Sequence, residues 1–226
     1  MCGRFLQTAD PADYAAFLHA RTVVAEPLAP SWNVAPTNEV YTAAVHAGER
    51  LLGTMRWGLV PHWSKDGRPG PINARSETAA TRPMFRDLFR SRRCLVPADG
   101  FYEWERRDGR SVPYWIRRAD GYPLAIAGLW STWRDPDTGA AKRTCVLLTR
   151  PAAGPVARIH DRMPVVLHPE AWSRWLDPEV RDPGEVAASM QMIEPAELLV
   201  PTEIVPLVNS VRNNGPELLA AAHPPT

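Results

Sequence analysis

The sequence predicts an α+β fold: a single compact domain, residues 1–226, on a curled, mostly antiparallel, barrel-like sheet with a few short helices. Three observations carry this. Strand-like apolar runs dominate the chain, while helical stretches are short and scattered between them. Turn signals join neighbouring runs closely enough to pair them as hairpins. The 226 residues include 24 prolines, well above the roughly 5% average, and proline favours turns and sheet edges over long helices. No repeat, low-complexity tract or linker divides the chain, and its length suffices for a core without staples.

"TADPADYAAFLHAR" opens the pattern as a helix, with Asp10 as its cap and Pro11 in its first turn. "EVYTAAV" and "RLLGTMRWGL" read as strands joined by "HAGE". "RPMFRDLFRSRR" reads as a helix with Met84, Phe85, Leu88 and Phe89 on one side and Arg86, Arg90 and Arg93 on the other. "GFYEWERR" and "VPYWIRR" flank an Asp-Gly turn at 108–109. "YPLAIAGLWSTW" and "RTCVLLT" flank "DPDTG". Helices follow at "PEAWSRWL" and "PGEVAASMQMI", and "TEIVPLV" is the last strand.

Composition narrows the function. There is no secretory leader pattern and no apolar run near the roughly 20 residues of a membrane helix. Three cysteines, Cys2, Cys94 and Cys145, are too few and too far apart for a disulfide scaffold or a CxxC metal site. These features predict a reducing, cytoplasmic setting with no membrane and no metal. Net charge is +1, but residues 75–118 hold eleven arginines against six acids, whereas residues 176–226 hold two arginines against eight acids. That asymmetry fits either a positive binding surface or a solvated arginine-rich face.

Four stretches offer chemistry. Loss of Met1 from "MCGRF" leaves Cys2 with a thiol and a free α-amine. Such a residue serves as a nucleophile with its own amine as base, or captures an aldehyde as a thiazolidine; position alone also allows it to be incidental. "PINARSET" supplies the Asn73 amide and the Arg75 fork, after a loop "RWGLVPHWSKDGRPG" whose tryptophans suit either a core or base stacking. In "ADGFYEWERR" strand alternation sets Phe101, Glu103 and Glu105 on one face and Tyr102 and Trp104 on the other. Partial burial would raise the pKa of Glu103 toward acid/base work; Glu105, beside Arg106 and Arg107, reads as exposed. "RIHDRMPVVL" places His160 and Arg162 before an apolar strand, as proton carrier and phosphate ligand or as structural residues.

Taken in register, "MCGRF", "WNVAPT", "WGLVPHW", "NARSET", "ADGFYEW" and "HDRMPVVL" resemble the SRAP (SOS response-associated peptidase) family of abasic-site processing proteins, over essentially the whole chain. The resemblance implies binding of single-stranded DNA at abasic sites and capture of the ring-opened sugar aldehyde by Cys2 as a thiazolidine crosslink. It places the catalytic set on Cys2, Asn73, Glu103 and His160. It places DNA contacts on Arg4, Asn33, Pro36, Trp63, Arg75, Glu77, Thr149 and Arg162. It implies a compact barrel-like α+β fold, no cofactor and no metal, and a nucleoid location when on DNA; a monomer is expected because the sequence shows no heptad or extended apolar stripe. Within it, Glu103 and His160 are expected to move protons, Asn73 to orient the amine, and arginines around 75–93 to grip phosphates. Two competing classes remain: a thiol (auto)peptidase using the same set, and a non-catalytic DNA-binding module.

Overall fold

The computed structural model describes residues 3–222. Among them are strands β1 (Phe5–Gln7), β2 (Arg21–Thr22), β3 (Ser31–Val34), β4 (Glu39–His46), β5 (Glu49–Trp57), β6 (Asn73–Arg75) and β7 (Arg93–Ala98). They continue with β8 (Gly100–Arg107), β9 (Arg110–Arg118), β10 (Leu124–Arg134), β11 (Ala141–Pro151), β12 (Arg162–Pro164) and β13 (Leu199–Glu203). The helices are α1 (Pro11–Phe17), α2 (Ser76–Ala79), α3 (Arg86–Ser91), α4 (Pro169–Leu176) and α5 (Pro183–Ser189).

The predicted curl is a closure. Strands β5, β4, β7, β10 and β11 are successive neighbours, and β11 returns to β5 through the parallel pairs Thr144–Arg56 and Cys145–Trp57. The five form a closed barrel, to whose rim β2, β6 and β12 attach. A second sheet runs β13–β9–β8–β1–β3, antiparallel throughout. Two hairpin turns match their sequence signals. Ala47 and Gly48 have φ of 50° and 79°, and Asp108 and Gly109 have 49° and 74°, the paired positive φ of a type I′ turn.

Alternation along the barrel strands builds two cores. On β10, Ala125, Ala127 and Leu129 pack with helices α1, α3, α4 and α5; Leu124 and Ile126 face the second sheet with Phe5, Phe101 and Ile116. Burial on both faces explains why these strands read as unbroken apolar runs.

β1 joins the two sheets. Ala43 of β4 pairs with Leu95 of β7, so two residues on Tyr41 would face Pro97, which has no N–H to give. The Gln7 side chain supplies the missing bonds. Its amide nitrogen donates to the carbonyls of Tyr41 (3.1 Å) and Pro97 (2.7 Å), and its oxygen accepts the Tyr41 N–H (2.9 Å). Asp99 adds a second tether, accepting from the Thr8 amide, the Thr8 hydroxyl and the Tyr14 hydroxyl at 2.6, 2.8 and 2.7 Å. Gly100, at φ 153°, then turns the chain from barrel to second sheet; a Cβ there would lie 2.4 Å from Trp115 Nε1.

Three expectations are corrected. The helix expected over 82–93 is regular only from Arg86 to Ser91, and Arg93 begins β7, where it is buried. Its guanidinium donates to the carbonyls of Phe89 (2.8 Å) and Val180 (3.0 Å), and also to those of Trp175 and Asp177. It thus caps the carbonyl ends of α3 and α4 rather than gripping phosphate. The last strand lies at Leu199–Glu203, not 202–208, because Pro206 starts a 3-10 turn and buried Leu199 sets the register against Arg118. Helix α5 stops at Ser189, short of Ile193.

The Arg93 cap predicts a stability loss. Arg93→Met keeps the stem but strands four carbonyls, so urea denaturation should show a loss of about 3 kcal/mol, the range for buried groups left unpaired. A loss under about 1 kcal/mol would show that water replaces the guanidinium.

Candidate active site

Phe5 pairs with Phe101 across β1 and β8, and the Tyr102 N–H donates to the Arg4 carbonyl at 2.9 Å. Continued one residue further, the same register would set Gly3 opposite Glu103. Met1 and Cys2 lie outside the described residues. Glu103 is only 2% exposed, on the face of β8 that carries Phe101 into the core. Burial, reinforced by the Asp161 carboxylate, pushes its pKa up to about 7.

Asn73 opens β6, which pairs in parallel with β11 at Leu147. The carbonyl before it, on Ile72, accepts from the Leu147 amide (3.0 Å) and from Trp57 Nε1 (2.9 Å). The Trp57 ring packs on Phe5 with centroids 4.9 Å apart. Asn73 is thereby braced against β1 through one indole.

His160 follows a 3-10 turn and is half-buried. Its Nδ1 lies 2.9 Å from both the Arg162 amide and Asp161 Oδ1. The amide always carries its hydrogen, so Nδ1 is assigned as acceptor and the neutral ring keeps its proton on Nε2. Burial lowers the His160 pKa and Asp161 partly opposes this. Ile72, Phe101 and Ile159, neighbours of the three polar residues, all pack on one core cluster. The chain segments that carry Asn73, Glu103 and His160 are thus each anchored on the same core cluster as Phe5 of β1.

The expected DNA contacts divide. Trp63 is 61% exposed, while Trp57 of the same loop region is fully buried. Arg75 is exposed and Pro36 half-buried. Arg162 is buried, and its fork lies on Glu77, with a second bond to the Thr149 carbonyl at 2.7 Å. That pairing holds the Glu77 pKa down to about 2. Asn33 is also buried; its amide donates to the carbonyls of Ser210 (3.0 Å) and Asn213 (2.9 Å), and its oxygen accepts from Arg4 (2.8 Å). Arg4 and Asn33 thus tie β1 and β3 to the chain at 208–213.

Residues absent from the sequence reading support the site. Trp133 is 5% exposed and lies over Gly67, where a Cβ would sit 2.6 Å from the indole at φ 61°. Its Nε1 donates to the Ser64 carbonyl at 2.8 Å. This latch fixes the loop that presents Trp63, yet Trp133 is 69 residues from its partner. Pro97 in "RCLVPA" was the one local hint that a side chain such as Gln7 must complete a ladder. Cys94 and Cys145 are fully buried, and burial raises Cys145 to about 12 and Cys94 well above its ordinary range. Among the described residues no group of three His, Cys, Asp or Glu side chains is arranged to hold a metal ion.

A family model described as SOS response associated peptidase (SRAP) matches residues 1–211. The abasic site processing protein YoqW of Bacillus subtilis is 37% identical over 97% of this chain and 99% of its own. The abasic site processing protein YedK of Escherichia coli is 35% identical over 97% and 99%. A crystal structure of a Bacteroides thetaiotaomicron protein superposes with a TM-score of 0.87 at 24% identity, over 98% of this chain and 100% of its own.

Two predictions follow from the geometry. The Glu103 carboxyl titrates near 7 when folded against an ordinary 4.5, so its contribution to stability is complete below about pH 4.5 and is lost as pH rises through about 7. Glu103→Gln should remove this dependence. Thermal melts should show the variant gaining on the wild type from pH 5 to 8, and parallel pH profiles would contradict the burial. Gly67→Ala should strain the backbone and displace Trp133, raising acrylamide quenching of tryptophan fluorescence; an unchanged quenching constant would show that the loop does not depend on the latch.

Proposed function

The chain belongs to the SOS response associated peptidase family, and on that footing we propose that it processes abasic sites in single-stranded DNA by forming a thiazolidine through Cys2. The observation that carries the reading is the buried carboxyl of Glu103, poised near pH 7 where the continued register would set Gly3, one residue from a potential aminothiol. Cys94 and Cys145 are sealed in the barrel with raised pKa values, which leaves Cys2 as the thiol for the chemistry.

The reaction balances as follows. Ring opening of the abasic hemiacetal transfers the hydroxyl proton away and a proton onto the ring oxygen, freeing the aldehyde. The Cys2 amine adds to that carbonyl and water leaves, giving a Schiff base. The thiol sulfur then adds to the carbon of the C=N bond, and its proton ends on the nitrogen, closing the five-membered ring. Glu103, half ionised near neutrality, takes a proton from the amine and returns one to the departing water. His160, largely neutral because burial lowers its pKa, presents Nε2–H toward the sugar oxygen and relays the ring-opening proton. Asn73 orients the amine and sugar through its amide. Trp63 offers an exposed face for a flanking base, and Arg75 a fork for phosphate. With its guanidinium committed to Glu77 and Thr149, Arg162 positions the β12 entry and with it His160.

Denaturing electrophoresis with a single-stranded oligonucleotide carrying one abasic site tests the proposal. Wild type, lacking Met1 by intact mass, should form a heat-stable adduct, and Cys2→Ala should not. Adduct from Cys2→Ala would overturn the thiazolidine, and peptide cleavage without any adduct would favour the thiol peptidase reading. The single-turnover rate should rise with pH through about 7 as Glu103 ionises. Glu103→Gln should slow it about 10²–10⁴-fold and remove that inflection; an unchanged profile would show that another group is the base.

A further inference from the structure

Beside the Glu77–Arg162 pair lies a cavity of about 550 Å³, within the ~300–1,000 Å³ of ligand pockets. Phe89 and Val165, both buried, line it, and Ala187 of α5 forms part of the far wall. Small alanine side chains there leave a space with flat apolar sides. The lining also includes polar side chains, those of Arg150, Gln191 and Glu77. The proposed chemistry uses none of these groups directly.

Arg150 makes no ion pair among the described residues, and its Nε is buried without a hydrogen-bond partner. Glu197 is the acid within electrostatic reach of it. Glu77 has already given its charge to Arg162. Exposed Arg75 directly precedes Ser76 of the lining, so two guanidinium groups, those of Arg150 and Arg75, belong to this region, with Glu197 as the acid that acts on Arg150. The cavity also starts close to the chemistry: Glu77 is four residues after Asn73, and its partner Arg162 is two residues after His160.

We infer that this cavity is a subsite for one nucleobase of the DNA strand flanking the lesion, with the base against the half-buried Ala187, Met190 and Ile193 and the adjoining phosphate on Arg150. The inference rests on the proposed abasic-site function and extends it to the neighbouring nucleotide. A base fits because its faces are apolar and its edge carries donors and acceptors that the Gln191 amide can meet. A phosphodiester fits because it brings the charge that Arg150 lacks a partner for. An apolar peptide side chain would fill the same walls but would leave the guanidinium unanswered.

The test couples the DNA to the cavity. Single-stranded oligonucleotides carry one abasic site, and a tetrahydrofuran residue, which has neither base nor aldehyde, replaces each flanking nucleotide in turn. Affinity is read by fluorescence anisotropy and adduct formation by denaturing gel. With wild type, removing the base at one position should weaken binding on the order of tenfold, the scale of one stacked base. Ala187→Phe, which fills the cavity from α5, should bind the fully based strand about as weakly and lose little more when that same base is removed. Arg150→Met, which keeps the stem, should lower the salt slope by about one phosphate contact. Absence of any base position coupled to Ala187→Phe, with Arg150→Met also matching wild type, would overturn the subsite even where adduct forms normally. Altered peptide cleavage by Ala187→Phe with unchanged DNA coupling would reassign the cavity to a peptide side chain. A lack of adduct with all proteins would instead overturn the abasic-site reading, while anisotropy would still decide the subsite.

Discussion

Where β1 is held decides what the site can do. The first residues of a chain are ordinarily its least ordered, yet the proposed nucleophile precedes β1 by three residues. Gln7 solves this by standing in for a backbone. Pro97 interrupts the ladder between two barrel strands, and the Gln7 amide meets all three groups left open there. A fully satisfied buried amide permits one depth and one register for its strand. Phe5 then meets Phe101 on one side and Trp57 on the other, so β1, β6 and β8 are indexed to one another by packing that lies behind the reactive groups.

The same side-chain type is driven in opposite directions within this site. Glu103 and Glu77 are both glutamates near the chemistry. Glu103 is buried close to Asp161 and pushed up to about 7; Glu77 receives both arms of Arg162 and is held down to about 2. The first is able to gain and lose a proton at neutral pH, and the second is a fixed charge that orients an arginine. Arg93 shows a third use of charge, folded inward to serve carbonyls at the ends of two helices. The excess of arginine in the middle of the chain is therefore in part internal scaffold.

The loop that presents Trp63 is built to be stiff. Trp133 gives its indole N–H to Ser64 and its ring to Gly67. A held loop would lose less entropy in the base stacking proposed for Trp63. Side-chain ties thus hold three separate parts of the chain: β1, the loop at 64–67 and the entry to β12.

The sequence by itself determined the α+β class, most strands and helices, and both tight hairpins, because strand alternation, helix caps and the positive-φ demands of Ala-Gly and Asp-Gly turns are local in the chain. It also singled out Asn73, Glu103 and His160, since their motifs place unusual polar residues among aromatic and apolar ones. It could not determine the closure of the barrel, which depends on β11 finding β5 some ninety residues away. Nor could it show that Arg93 and Asn33 are turned inward, because an arginine that caps two helices and one on the surface have the same local pattern. The roles of Gln7 and Trp133 were decided by tertiary structure alone: their partners are 34 to 90 residues distant for Gln7 and 69 for Trp133. Protonation belonged to that level as well, since the pKa of a glutamate depends on which charges and how much water the fold leaves beside it.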